Sequence, residues 1–462
     1  MKKILAVVLG TLTTLSFADV TLYGRVSAAI ENDAFPQSNQ QQPSSTSVQD
    51  YGSYWGIRGT DQVYGQTAAI WQVEQYLNIT SGRPYQNTSG SGWVPTNPNG
   101  SASSSGAATS AVNSLASSDS YIGLQGVWGR ARIGNLSNAY RTNTGAVDVY
   151  NGNNANSMGT YDRFIRVLPN TVRYDSPTWN NFSFLAYVGA NTDGNFNTGG
   201  INGNGIAGNA ADENGANGFP IYGLGLSYNP GNFSATWNMQ LNTNTGMYKA
   251  FGGSQGGYGP DGLTQVTQGI NAYSTRIELG YNDPDSWFAG IGGQIAQGYG
   301  YQSQAGNGNM ANLWVQNSAI GGINSNYVCQ SGNVSGWSCL NQAVLSTAEV
   351  GATFGYHIRN WTPKIGYMYG SNVMAGGSPF DIIAGNNQIG GTGYQQLVAE
   401  LDWNITPRTI AFVSWGQQWW GNTALNMVKK SADTVDGNTL NGVGGSIYSN
   451  NMTSAVGFSH TF

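Results

Sequence analysis

The chain contains segments of about ten residues in which apolar and polar side chains alternate. In the segment VTLYGRVSAAIE the apolar residues Leu22, Val26 and Ile30 fall on one face of the chain. Arg25 and Glu31 fall on the other face. Successive side chains of a β-strand point to opposite sides, so the pattern predicts a strand with one apolar and one polar face. The same alternation recurs in YWGIRGTD, QTAAIWQVEQYL, GRARIG, NFSATWNMQ, YSTRIELGY, TFGYHI and SAVGFSHTF.

Short and long connections alternate between these segments. VWG, TWNN, NPG, NDPDS, RNWT and NITP are short turns, whereas the long connections are rich in Asn, Gly, Ser and Gln. Eight long loops imply sixteen strands if the two ends of the sheet meet. We therefore predict an all-β fold, a transmembrane antiparallel β-barrel of about 16 strands with short periplasmic turns and long external loops. The long loops span about 34–52, 79–117, 135–169, 189–219, 241–270, 298–342, 370–393 and 416–450, the last of which includes Trp419 and Trp420.

Composition separates this prediction from the alternatives. Charged residues make up 9% of the chain and aromatic residues 12%, whereas ordinary soluble proteins are roughly 25% charged. A soluble sandwich usually has a richly charged outer face, but the polar faces here carry mainly Gly, Ser and Gln. A soluble β-sandwich or β-solenoid adhesin is the alternative fold. Past the N-terminus, no run of about 18 apolar residues exists, which excludes ordinary spanning helices.

The N-terminal sequence MKKILAVVLGTLTTLSFA predicts a secretory signal peptide over residues 1–18. Lys2 and Lys3 form a basic start, an apolar run follows, and Ser16, Phe17 and Ala18 fit a small-x-Ala cleavage site. Residues 19–462 then form the barrel domain. Removing the two lysines changes the net charge from −5 to −7, with 16 basic against 23 acidic residues. This mild acidity, without a basic stripe, argues against a nucleic-acid partner.

The cysteines and histidines limit the chemistry. The only two cysteines, Cys329 and Cys339, lie ten residues apart in a Gly/Asn/Ser-rich stretch and predict a disulfide in an exported protein. The only two histidines, His357 and His460, lie within strand-like runs. Neither a zinc cluster nor a serine triad can be assembled from them. We expect no metal, no cofactor and no enzymatic activity.

Several segments resemble the Gram-negative general porins, in particular the trimeric branch of Neisseria- and Burkholderia-like bacteria. VTLYGRVSAAIE is similar to the first strand of that family, GIRGTDQVYGQTAAIWQVEQ to its second hairpin, and SYIGLQGVWGRARIGN to its fourth and fifth strands. NTVRYDSPTWNNFSF resembles the strand that leaves the constriction loop, and VGFSHTF the terminal strand. The matches follow in order over nearly the whole mature chain. The loops are longer, poorer in charge and richer in Asn and Gly than the family pattern.

The resemblance implies that residues 135–169 form a constriction loop, folded into the lumen, with Asp148 and Asp162 as its acids. Strand parity points a set of arginines, together with Glu31 and Glu74, into the lumen, where opposed acidic and basic walls set up a transverse field. Each arginine has a second interpretation, in which it pairs with a neighbouring carboxylate and only anchors the loop. The inward set is Arg25, Arg58, Arg130, Arg132, Arg173, Glu31 and Glu74.

The expected function is an outer-membrane porin for passive diffusion of small hydrophilic solutes and ions. A solute-specific porin, or a surface-loop adhesin on a barrel scaffold, is the alternative. Because screening limits the reach of a charge to about 8–10 Å, the lumen arginines outweigh the net charge and favour anions. By resemblance, the protein is a homotrimer in outer-membrane lipid and lipopolysaccharide. Phe458 and Phe462, in the terminal strand, are by resemblance the signal that the outer-membrane assembly machinery reads.

Overall fold

A computed structural model describes most of the strand-forming sequence. The described residues are 19–34, 44–80, 116–143, 145–152, 154–164, 167–191, 219–242, 272–297, 345–372, 374–375, 388, 390–421 and 452–462. Among them are eighteen β-segments, one helical turn α1 (Ala139–Thr142) and one 3-10 turn (Tyr161–Phe164). The β-segments are β1 (Asp19–Ala34), β2 (Ser45–Asp50), β3 (Tyr54–Tyr64), β4 (Thr67–Tyr76), β5 (Ser120–Gly126), β6 (Gly129–Ser137), β7 (Val167–Asp175), β8 (Phe182–Asn191), β9 (Phe219–Tyr228), β10 (Phe233–Asn242), β11 (Ala272–Asn282), β12 (Trp287–Gln297), β13 (Leu345–Tyr356), β14 (Trp361–Gly370), β15 (Met374–Ala375), β16 (Tyr394–Thr406), β17 (Thr409–Trp420) and β18 (Met452–Thr461).

These segments form sixteen barrel strands. β2 and β3 both pair with β1 and count as one interrupted strand, and β14 and β15 both pair with β13 in the same way. All pairings are antiparallel, and β1 pairs with β18 from Arg25 opposite Thr461 to Ala34 opposite Met452. The sheet therefore closes on itself and leaves no open edge. The predicted closed antiparallel barrel of about 16 strands is confirmed.

The alternation read from the sequence corresponds to the two faces of the barrel wall. On β1, Leu22 and Ile30 are each 60% exposed on the outside, whereas Ser27 and Glu31 are buried on the inside. The outer surface carries many exposed Val, Leu, Ile and aromatic side chains along every part of the described wall. An apolar exterior is what a barrel presents to lipid.

The described residues of the loop between β6 and β7, which are 138–143, 145–152 and 154–164, lie inside the barrel and are called the inserted loop below. α1 begins after Asn138, whose side chain accepts a hydrogen bond from Arg141 N at 3.1 Å and caps the turn. Ala139 packs against Leu168, Leu185, Tyr187 and Ile221 on the inner wall. Buried apolar contacts therefore join the inserted loop to the wall, and another buried apolar cluster lies within the wall itself.

Some segments assigned to long loops form strands in the structure, among them β15 at Met374–Ala375. Residues 45–50, assigned to the first long loop, form β2, because they pair with the far end of β1. Trp419 and Trp420, assigned to the last long loop, lie at the end of β17, where Trp420 stacks on Tyr394 of β16 with ring centroids 4.8 Å apart. β17 extends beyond the point where its local sequence stops alternating, because β16 supplies hydrogen bonds and the ring of Tyr394.

Candidate functional site

A row of inward-facing glycines lets the inserted loop lie directly on the wall. The glycines are spread over β9, β11, β12, β14 and β17, and a Cβ atom on each would come within 3.2 Å of an atom of the loop. On Gly290 it would overlap the carbonyl oxygen of Ala146, and on Gly416 that of Ala155. Because these positions have no side chains, the loop backbone can approach the wall closely. This glycine track comprises Gly225, Gly280, Gly290, Gly366 and Gly416.

Hydrogen bonds between the loop and the wall fix the position of the inserted loop. Wall carboxylates accept hydrogen bonds from loop amides: Glu278 from Ala146 N at 3.1 Å and Glu400 from Asn151 N at 3.0 Å. In the opposite direction, the wall donates hydrogen bonds to loop carbonyl oxygens, as Lys364 Nζ does to Val149 O at 2.8 Å. Further wall–loop contacts join Asp33 to Asn154, Ser414 to Asn156, Gln396 to Ala155 and Thr353 to Val147.

The two predicted loop acids lie beside each other and beside a buried arginine. Asp162 Oδ1 accepts a hydrogen bond from Arg276 Nη1 at 2.6 Å, and Arg276 is fully buried. Burial raises the pKa of Asp148 well above its usual value, and repulsion by Asp162 together with a hydrogen bond to it raises that pKa further. In this arrangement Asp162 pairs with Arg276, and the raised pKa of Asp148 favours its neutral form.

Three of the predicted arginines meet at one carboxylate. Arg132 and Arg173 are directly opposed on β6 and β7, and both are almost completely buried. Arg132 Nη2 lies 2.7 Å and Arg173 Nη2 2.5 Å from the two oxygens of Asp175, while Arg130 Nε lies 3.6 Å away. Asp119 adds a second carboxylate 3.8 Å from Arg132. Three guanidinium groups thus share two carboxylates.

Arg25 and Glu74 make structural contacts in the lumen wall. Arg25 donates to the carbonyl oxygens of Tyr51 and Gly52, which occupy the break between β2 and β3. Glu74 accepts hydrogen bonds from Tyr23 at 3.0 Å and Ser118 at 2.5 Å, and pairs with Arg141 of the inserted loop at 3.5 Å. Both side chains fasten neighbouring elements together.

Arg58 differs from the other predicted arginines. Its side chain is exposed to the lumen, on the face shared with Thr21 and Gln72 of the adjacent strands. The guanidinium carbon lies 5.1 Å from the ring centroid of Tyr23, a distance typical of a cation–π contact. Among the residues that the structure describes, no carboxylate lies within ion-pair distance of Arg58.

The charges of the two walls differ in their exposure. On β11 to β16 the acids Glu278, Glu349 and Glu400 are at most 4% exposed, because the inserted loop and neighbouring side chains cover them. On β3 and β6 the side chain of Arg130 is 39% exposed, and Arg58 is exposed as well. Cationic side chains are therefore exposed to the open lumen, whereas the three glutamates of the opposite wall are buried.

Several of these groups could not be singled out from the sequence. Asp175 and Asp119 sit at strand ends and were not distinguishable from turn residues. Arg276 and Lys364 do alternate with apolar neighbours in their strands, and that parity was the available signal for an inward position. Their carboxylate partners depend on strand register, which the pattern alone does not define.

The remaining predicted residues lie at the C-terminal strand or outside the described part. Phe458 faces outward and is 61% exposed. Phe462 N donates to Gly24 O, and Gly24 N donates to Phe462 O, both at 3.1 Å. Cys329 and Cys339 fall outside the described residues, so their disulfide stays a prediction.

Within the described part of the chain, no helix is long and apolar enough to cross a membrane. The same residues contain no group of three or more His, Cys, Asp or Glu side chains arranged to hold a metal ion.

The chain is similar in sequence to known outer-membrane proteins. A family model described as Gram-negative porin matches residues 5–419. Major outer membrane protein P.IA of Neisseria meningitidis serogroup C is 24% identical over 441 residues, covering 89% of this chain and 92% of that protein. P.IB of Neisseria gonorrhoeae is 23% identical, covering 94% of this chain and 98% of that protein.

Solved structures share the fold at low sequence identity. An anion-selective porin from Comamonas acidovorans has a TM-score of 0.56 and 14% identity, covering 96% of this chain and 100% of that one. The trimer form of OmpT from Vibrio cholerae has a TM-score of 0.50 and 12% identity, covering 96% of this chain and 99% of that one.

Proposed function

Because the chain belongs to the Gram-negative porin family and is an outer-membrane channel for passive solute diffusion, we propose that its lumen prefers anions. The observation that carries this proposal is the unequal exposure of the two walls. Arg58 is exposed and without a carboxylate partner among the described residues, whereas Glu278 and Glu400 are buried beneath the inserted loop. A hydrated anion in the lumen meets the arginines at short range, where screening is weakest.

The division of roles among the arginines follows from their contacts. Arg132 and Arg173 hold Asp175 and contribute to the field as a fixed, partly neutralised group. Arg25 secures the break between β2 and β3. Arg58 and Arg130 supply the accessible positive charge, and low-dielectric walls concentrate the resulting field. The anion selectivity of the Comamonas acidovorans porin supports the same preference here.

The inserted loop is the proposed constriction, and it discriminates solutes by size and charge. Its position is set by the glycine track, by the hydrogen bonds that loop amides donate to Glu278 and Glu400, and by the hydrogen bond that Lys364 donates to the loop. Pore selectivity of this kind needs a defined diameter and lining charges, with binding weak enough for exit. Channel recordings with added sugars and organic anions test general diffusion. Block by one solute at low concentration contradicts it and favours a solute-specific porin.

The exported protein is proposed to be a homotrimer, starting at residue 19 after removal of residues 1–18. The trimer form of the OmpT structure supports this assembly, and lipid and lipopolysaccharide surround it. Crosslinking of the protein in outer-membrane vesicles tests the assembly: a ladder that ends at three subunits is expected, and a ladder that ends at one subunit contradicts it.

A further inference from the structure

An apolar groove of about 860 Å³ lies on the outer surface of the barrel wall between β10 and β16. The small side chains of Ala235, Ala289 and Ala352 leave a depression between larger neighbours. Ala352, for example, lies between Ile291 of β12 and Tyr367 of β14 in the same register row. The groove lies outside the lumen and has no part in the proposed anion path.

Aromatic rings border the groove at the end nearest the short turns. Phe233, Tyr281, Trp287 and Phe354 form a ladder across four strands, with successive centroids 4.9, 4.4 and 6.3 Å apart. Phe233 and Trp287 are the first residues of β10 and β12, immediately after their turns. Tyrosine and tryptophan gather at membrane–water interfaces because their rings have one apolar and one polar end. The ladder therefore marks the periplasmic interface.

The polar ends of this ladder have no partners within the described residues. Tyr281 Oη and Trp287 Nε1 of the ladder, and Tyr228 Oη in the groove lining, are hydrogen-bond donors, and none of them bonds to another described residue. The groove thus has an apolar body and a border of donors that bond to no described residue. That combination matches an amphiphile with a hydrocarbon chain and a head that accepts hydrogen bonds.

We propose that this groove binds one phospholipid of the inner, periplasmic leaflet of the outer membrane. An acyl chain lies over Ala289 and Ala352, and the phosphate or ester oxygens of the head accept hydrogen bonds from Trp287 and Tyr281. A second copy of this chain is a poorer occupant, because the outward face of another barrel is apolar and offers few acceptors. Fluid bulk lipid contacts every outward face of the barrel, whereas the phospholipid in the groove stays bound when the protein is purified in detergent.

Native mass spectrometry of the detergent-purified full chain tests retention of added palmitoyl-oleoyl-phosphatidylethanolamine. Ala289→Phe and Ala352→Phe fill the groove, and Ala186→Phe, at an outward position on β8 away from it, is the matched control. We expect one lipid on the wild type and on the control, and about fivefold less on the two groove variants, the change that about 1 kcal/mol produces. Equal retention by all four proteins overturns the proposal, and so does a change of oligomeric state in the groove variants alone. Unchanged channel conductance verifies that each variant is folded.

Brominated acyl chains provide a second measurement that does not depend on filling the groove. In vesicles with a small fraction of brominated phosphatidylethanolamine, the fluorescence of Trp287 is quenched by the bound chain. Wild-type protein should therefore lose a larger fraction of its fluorescence than Trp287→Phe. The same fractional loss in both proteins contradicts a bound lipid at this position.

Discussion

The carbonyl oxygen of Ala146 occupies the space that a Cβ atom on Gly290 would need. One residue belongs to the inserted loop and the other to the inner face of β12, so their contact sets how far the loop stands from the wall. Gly416 and Ala155 repeat this relationship on β17. The lumen diameter is therefore determined by the glycines on the wall as well as by the loop itself.

Replacing Gly290 by alanine should push the inserted loop toward the channel axis and reduce single-channel conductance. The overpacking costs about 1–3 kcal/mol, which also lowers the temperature of heat-induced unfolding. Gly293→Ala is the matched control, since Gly293 is on the same strand and its added Cβ would meet only Glu349 O at 3.3 Å. Equal conductance of the two variants would contradict the proposed role of the glycine track.

Arg58→Ser and Arg132→Ser should affect anion preference differently. Arg58 is exposed and unpaired among the described residues, so its loss removes a full charge from the lumen. A unit charge about 8 Å away contributes about 0.5 kcal/mol in water, which corresponds to about a twofold fall in the anion-to-cation permeability ratio. Arg132→Ser leaves Asp175 paired with Arg173, and should mainly destabilise the barrel.

Reversal potentials in a salt gradient, together with heat-induced unfolding of each variant, separate these two effects. A larger loss of anion preference in Arg132→Ser than in Arg58→Ser would contradict the assignment of the accessible charge to Arg58.

Asp148→Asn should change how the stability of the barrel depends on pH. Burial raises the pKa of Asp148 in the folded state, so the folded protein keeps a proton that the unfolded chain releases above about pH 3.9. The wild type therefore loses stability as the pH rises above that value. Asparagine still donates a hydrogen bond to Asp162 but cannot ionise. The unfolding temperature of the variant minus that of the wild type should increase with pH, and a constant difference would rule out a protonated Asp148.

Deletion of Phe462 should reduce the amount of folded barrel severalfold while leaving the conductance of the remaining channels unchanged. The deletion removes two backbone hydrogen bonds to Gly24, each worth about 0.5–1.5 kcal/mol, and by resemblance the aromatic that the assembly machinery reads. Phe462→Tyr keeps both features and serves as the control. The heat-dependent gel mobility of outer-membrane fractions measures the folded amount, and normal assembly of the deletion variant would refute this role.

The alternation of side chains made the fold predictable. The inward position of Glu31 and the outward position of Ile30 follow from a period of two that any short segment reveals. Strand number followed from counting long loops, and β1 pairs with β18 as expected. The local pattern did not predict a strand at Trp420. There the ring stacks on Tyr394, and β17 continues beyond the alternating sequence.

The site was predictable only as a set of inward arginines. Whether an arginine is exposed or neutralised depends on partners that lie far away in the sequence. Asp175 is 43 residues from Arg132, and Glu400, which holds Asn151, is 249 residues from it. Such pairs arise from barrel register and loop path, so the sequence could not distinguish Arg58 from Arg132.

The reversal potential of the reconstituted wild-type channel across a potassium chloride gradient tests the central claim most directly. If cationic groups line the open lumen while the acids lie sealed behind the inserted loop, chloride carries most of the current and the potential has the sign of an anion-selective pore. A potential with the sign of potassium selectivity would contradict the account.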